Sequence, residues 1–198
     1  SAESVSSNKF GKVIPQYADK FLVWGNKLKE YALSNNYPEN KLEIIGSPFH
    51  DSTFLTKNII PKNKFILFAA SSPTHRSLRG MAVGTMEKYL ESIKNVCKIS
   101  SKLGVDLIIK LHPQPDDFDV TNIVKKIDSK ITVLKSGDIT SLIKSCDVFI
   151  VTDMSTTILE AQILEKPVIV FKTRDDFGTY EFSKSNSCIS ATVDDFES

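Results

Sequence analysis

The chain has 198 residues, 41% of them hydrophobic, and a formal net charge of +1 at pH 7. That length suffices for one well-buried core, or for one full domain and a piece of another. Lysines spread along the chain and balanced by acids remove the electrostatic case for a nucleic-acid partner.

Cys97, Cys146 and Cys188 are the only cysteines. They fall in no metal-ligand spacing and leave one unpaired in any disulfide scheme, so they read as small core residues of a reducing compartment, with no metal expected. No apolar run approaches the roughly 20 residues that cross a bilayer, and no signal-peptide pattern opens the chain. A cytoplasmic location follows as the expectation, and peripheral association with the inner face of a membrane is compatible with it.

In chain order, residues 1–9 are small, polar and patternless, a disordered end or an expression remnant. Residues 10–60 read as the tail of a preceding domain and a linker. Within them Phe21–Trp24 reads as a strand, Asn26–Asn35 as a helix with Leu28, Tyr31 and Ala32 on one face, and Leu42–Ile45 as a second strand. Gly46-Ser47-Pro48 stops it. This is a partial βαβ segment, too short to close its own core.

From residue 61 to 198, strand and helix patterns alternate. Phe65–Ala70 is a strand, and Met86, Tyr89, Leu90, Ile93, Val96, Cys97 and Leu103 recur at helical spacing before a C-capping Gly104. Asp106–Leu111 is the next strand, Phe118, Ile123, Val124 and Ile127 mark a helix, and Ile131–Leu134 a strand. A short helix over Asp138–Lys144 leads to the strand Val148–Val151, a hydroxyl-rich turn, a compact helix, the strand Val168–Phe171 and a last candidate strand, Cys188–Val193.

Apolar runs without alternation suit strands buried on both faces. The pattern therefore predicts an α/β fold, a doubly wound parallel sheet of Rossmann type. In the usual 3-2-1-4-5-6 order, Phe65–Ala70 and Val148–Val151 are neighbours where the order reverses, and ligands bind outside the carboxyl ends there.

Three stretches reach that crevice. The loop after the first strand carries Ser71, Ser72, Arg76 and Arg79, and arginine forks suit phosphate and carboxylate oxygens. His112 follows an apolar strand directly and precedes Pro113, which holds the backbone extended at the sheet edge. Ser155-Thr156-Thr157 lies between a strand end and a helix start, where unpaired amides and the helix dipole favour phosphate. A structural alternative covers the same turn: Thr157 through Glu160 fits a capping box.

The combination IIKLHP at Ile108–Pro113 with SLIKSCDVFIVTDMSTTILEAQILEKPVIVF at Ser141–Phe171 resembles the carboxyl-terminal domain of glycosyltransferases of the B-type, twin-Rossmann fold. It is most similar to the group of CDP-glycerol glycerophosphotransferases, capsule-polymer enzymes and bacterial sialyltransferases, which pair a His-Pro after one strand with an Asp-x-Ser-Ser/Thr turn after another. Phe21–Asp51 similarly resembles the segment that closes their amino-terminal domain. The resemblance implies a UDP-, CDP- or CMP-linked donor as substrate, with no further cofactor. It puts His112 in a catalytic role on the donor phosphates, Ser155, Thr156 and Thr157 beside it, and Glu160 on the ribose or donor sugar.

Met154 stands where the glycerophosphotransferases usually have Tyr, and the glycine-rich turn of UDP-N-acetylglucosamine 2-epimerases, which share the architecture, is absent. The resemblance further implies an amino-terminal acceptor-binding domain, missing from this chain, that brings the catalytic base. The expected function is donor binding in surface-polysaccharide or polymer assembly. An epimerase and a non-catalytic nucleotide-binding module are the alternatives.

Overall fold

The computed structural model describes residues 18–55, 64–71, 73, 85–113, 118–153, 155–173 and 187–196. The chain divides into two compact units, Ser1–Ser52 and Thr53–Ser198.

In the first unit, β1 (Phe21–Val23), α1 (Asn26–Ser34) and β2 (Leu42–Ile44) form a βαβ element whose strands pair in parallel, Phe21 opposite Leu42 and Val23 opposite Ile44. The helix ends because Asn36 takes a left-handed φ of 57°. Its N–H then reaches Leu33 O at 2.9 Å, and that of Tyr37 reaches Ala32 O at 3.0 Å. This closure satisfies orphan carbonyls, and Asn tolerates it better than most residues. Val23, Ala32, Tyr37 and Leu42 form the small core. A single helical turn, α2 (Asp51–Phe54), follows.

The second unit alternates β3 (Phe65–Ala70), α3 (Thr85–Leu103), β4 (Asp106–Leu111), α4 (Thr121–Ile127), β5 (Thr132–Leu134), α5 (Ile139–Ser145), β6 (Val148–Thr152), α6 (Thr157–Ile163), β7 (Val168–Phe171) and β8 (Ile189–Ala191). The six strands are parallel, in the order β5-β4-β3-β6-β7-β8. This is the expected doubly wound arrangement of a Rossmann-like half, and the order reverses between β3 and β6.

Strand pleating sends alternate residues to opposite faces, so each strand feeds two cores. Phe68, Ile109, Ile150 and Phe171 pack with Tyr89, Ile93 and Val96 of α3 and Val124 of α4. Leu67, Phe149, Val151 and Val170 pack on the other face with Ile143 of α5, Ile158 and Ala161 of α6, and Leu164 just after it. Helix α3 ends at Gly104, φ 65°, with Val105 N–H on Ser100 O at 3.1 Å, as its glycine predicts.

One helix start differs from the sequence pattern. Phe118 is left outside α4 and 43% exposed, because the Asp119 carboxylate takes the Thr121 N–H at 2.9 Å and the helix begins only there.

Candidate functional site

The reversal point aligns the ends of three adjacent strands. Ala70 pairs with Leu111 of β4, and Ala69 with Val151 of β6. The next positions outward are therefore Ser71, His112 and the Thr152-Asp153 turn. Neighbouring strands lie about 4.8 Å apart, so the ends of β4 and β6, with β3 between them, are roughly 10 Å apart.

The junction between β3 and β6 is tied by a buried side chain. Thr152 Oγ1 accepts from Ser71 N at 3.0 Å and donates to Ser71 O at 3.3 Å. Ser71 itself is exposed, as is His112. The turn after β6 leads into α6, on the sheet face that α5 and α6 cover. His112 and the hydroxyl turn thus share one edge of the sheet.

Asp153 has a left-handed φ of 51° and is buried, with its N–H on Phe171 O at 2.9 Å. Its carboxylate accepts from Thr173 N at 2.8 Å and from the Thr173 hydroxyl, so this aspartate anchors the turn to the end of β7. Ser155 Oγ accepts the Thr157 N–H at 3.3 Å and hydrogen-bonds the Thr157 hydroxyl at 2.8 Å. Ile158 N–H reaches Ser155 O and Leu159 N–H reaches Thr156 O, so the first turn of α6 is wound tightly. Thr156 is exposed and makes no side-chain capping bond.

The capping box at Thr157 and Glu160 does not form. Thr157 is the first helical residue rather than the cap, Ser155 holds its amide, and the Glu160 carboxylate is engaged elsewhere. Glu160 is 7% exposed, and its Oε2 accepts from Thr140 Oγ1 at 2.7 Å, which links the first turns of α5 and α6.

Thr140 is itself held, because Asp138 caps α5 through Thr140 N at 3.1 Å and Ser141 N at 3.2 Å. The Ser141 hydroxyl on the same carboxylate, against a smaller desolvation effect, leaves the Asp138 pKa below its ordinary value.

Lys110, one residue before the end of β4, is buried, and its Nζ donates to Leu111 O at 2.9 Å and to Lys135 O at 3.1 Å. It holds the connection from β5 to α5 against the sheet. Lys110, Thr140, Thr152 and Thr173 were not singled out from sequence. Only Lys110 carried a signal, a charge inside an otherwise apolar central strand that must find partners when buried. The three threonines act through neighbours distant in sequence.

Of the expected site residues, Ser72, Arg76 and Arg79 lie outside the described residues. Among the described residues no cluster of His, Cys, Asp or Glu is arranged to hold a metal ion. A cavity of about 530 Å³ opens at the opposite, amino edge of the sheet, lined by Ser100, Gly104, Asp106, Asp128, Lys130 and Thr132 among others. It faces the carbonyl end of α3 and two carboxylates, which disfavour phosphate despite Lys130. The carboxyl edge suits an anionic ligand better.

Comparison with known proteins adds a family and a fold. The LIC12162 family transferase model matches residues 5–185. No curated protein matches the chain by sequence. Among solved structures it is similar to S. aureus MnaA in a co-structure with UDP, at TM-score 0.59 and 17% identity over 90% of this chain and 49% of that one. The UDP-GlcNAc 2-epimerase from Neisseria meningitidis bound to UDP-GlcNAc matches at TM-score 0.58 and 14% identity, over 90% and 50%. A GtfA/B complex matches at 0.52 and 16%, over 88% and 35%. At these identities the likeness is one of fold, and the chain spans about half the length of the first two structures.

Proposed function

This chain belongs to the LIC12162 family of transferases, and from that premise we propose that it is the donor-binding part of a glycosyltransferase or glycerophosphotransferase-like enzyme. The donor is a sugar or alditol activated as a UDP, CDP or CMP derivative, and the product enters surface polysaccharide or polymer. One observation carries the reading. His112 and the Ser155–Thr157 turn, far apart in sequence, both follow strands that end at the carboxyl edge of the sheet, flanking the reversal point where ligands of such sheets bind.

In this reading the donor phosphates lie between the His112 ring and the hydroxyls of Ser155 and Thr156. Arg76, Arg79, Ser71 and Ser72 contribute from the β3 loop, and Glu160 takes hydroxyl hydrogens of the ribose or donor sugar. For a sugar donor, an acceptor oxygen forms the new bond to the anomeric carbon while that carbon's bond to the phosphate oxygen breaks. The nucleotide leaves with the electron pair. Charge grows on the phosphate as it leaves, and fixed donors aimed there lower the barrier.

The acceptor proton passes to a base on an amino-terminal domain, which also binds the acceptor. The full enzyme works in the cytoplasm, at the inner face of the membrane. Among the described residues no helix is long and apolar enough to cross a membrane.

The test is a thermal-shift panel with UDP, CDP, CMP, GDP and ADP, because a ligand that binds only the folded chain raises its Tm. A clear shift with one pyrimidine nucleotide is the expected result. No shift with any of the five would overturn the reading.

An epimerase is the second reading, favoured by TM-scores of 0.59 and 0.58 to the UDP and UDP-GlcNAc complexes against 0.52 to the GtfA/B complex. Incubating the full-length enzyme with UDP-GlcNAc separates the two. A 2-epimer formed without any acceptor would favour the epimerase.

A further inference from the structure

We propose that Thr140 is a positioning residue of the donor site, fixing Glu160 so that its free oxygen accepts from the hydroxyls of the ribose or donor sugar. The inference deepens the function proposed above and rests on it. Glu160 is 93% buried in the first turn of a helix that starts at the ligand edge, a costly place for a carboxylate without partners. Among the described residues Thr140 Oγ1 is its hydrogen-bond donor, at 2.7 Å on Oε2. Oε1 carries no hydrogen bond among those residues.

Thr140 is well placed for this. Its amide is fixed by Asp138 at 3.1 Å, and the loop leading to it is held at Lys135 O by Lys110 Nζ at 3.1 Å. A carboxylate pinned by one oxygen cannot turn away from what meets the other. It repels phosphate and accepts from neutral O–H groups, so it selects the hydroxyl-bearing part of the donor rather than the pyrophosphate.

The experiment compares the wild-type chain with Thr140→Val, which removes the hydroxyl at nearly constant volume, and Thr140→Ser, which keeps it. Affinities are measured by calorimetry for the strongest binder among UDP, CDP, CMP, GDP and ADP, and for its 2′,3′-dideoxy counterpart. Tm of each free protein is followed alongside. Expected is a loss of about three- to tenfold for the ribonucleotide in Thr140→Val, little change for the dideoxy nucleotide, and recovery in Thr140→Ser.

Unchanged ribonucleotide affinity in a folded Thr140→Val overturns the inference while leaving the proposed function standing. Equal losses for both nucleotides also overturn it, since they mark a packing role. If Thr140→Val fails to fold, the wild-type preference for the ribonucleotide over its dideoxy form decides, and absence of that preference refutes the proposal. A wild-type chain that binds no nucleotide refutes the proposed function itself, and this inference with it.

Discussion

At the scale of single residues, the hydroxyls at the carboxyl edge divide into those that hold the chain and those that face solvent. Thr152 and Thr173 are consumed by Ser71 and Asp153, whereas Thr156 faces solvent. Ser155 is intermediate, because it also caps the Thr157 amide. His112→Ala and Ser155→Ala are each expected to weaken nucleotide binding by about three- to tenfold. The double mutant should lose less than the product of the two, as groups on one ligand do. Ser155→Ala should also destabilise the free protein by about 1 kcal/mol through the lost cap. Calorimetry with fully additive losses would separate the two residues from a common ligand.

The cysteines provide a further check at this scale. Burial, with Asp128 adding to it, pushes the Cys97 thiol up to about 12, and burial pushes that of Cys146 to about 11. At pH 8 roughly a thousandth or less of either is thiolate. A disulfide reagent such as DTNB should therefore leave both untouched in the native protein and titrate them on unfolding. Rapid native labelling of Cys97 or Cys146, seen by peptide mapping, would contradict the core described here.

Among the elements, several strands and the start of α1 at Asn26 were legible with their bounds, whereas the starts of α4 and α6 were not. Phe65–Ala70, Asp106–Leu111 and Val168–Phe171 read from sequence with their observed bounds, because a short, largely apolar run admits little else in a parallel sheet. A helix start depends on which side chain reaches a free amide, and several can compete for it. Asp119 takes the Thr121 amide and excludes Phe118 from α4, and Ser155 takes the amide of Thr157, so the Thr157–Glu160 box never closes. The legible share of the candidate site follows the same division: positions set by strand ends, such as His112, could be foreseen, and the Thr140–Glu160 link between two helices could not.

Asp138 on α5 is a start that can be tested. Bound chiefly by the Ser141 hydroxyl, its carboxyl has a lowered pKa in the folded chain. The stabilisation is present above the ordinary carboxylate value of about 3.9 and is lost as pH falls through the folded value. Asp138→Ala should cost about 1 kcal/mol near neutrality, and the gap between mutant and wild type should shrink in urea titrations below about pH 4. A gap that stays constant down to the folded pKa would deny Asp138 its capping role.

For the whole molecule, the two units differ in how much they can bury. The larger one stacks helices on both faces of a six-stranded sheet and has two cores. The smaller one has a two-stranded parallel sheet over a single helix, with Val23, Ala32, Tyr37 and Leu42 as its core. Two strands with one helix are marginal, and parallel sheets are ordinarily covered on both faces. Leu22, Trp24 and Ile45, on the side away from α1, are 50%, 51% and 43% exposed. Local stability follows buried apolar contact, so the first unit should open at lower free energy than the second.

The chain reports this directly through its single tryptophan, Trp24, which lies in the first unit with its ring edge-to-face on His50 at 5.9 Å. Helical ellipticity comes mostly from the second unit, which holds α3 through α6. In a urea titration the Trp24 fluorescence transition is expected to precede the far-ultraviolet circular-dichroism transition. Non-coincident probes are the mark of a transition that is not two-state. Amides of the β1–β2 ladder should exchange roughly a hundredfold or more faster than those of β3 and β6. A nucleotide bound at the reversal point should then shift the ellipticity transition and leave that of Trp24 largely in place, because the site residues all belong to the second unit. Coincident transitions that move together with nucleotide would show instead that the chain unfolds as one cooperative body.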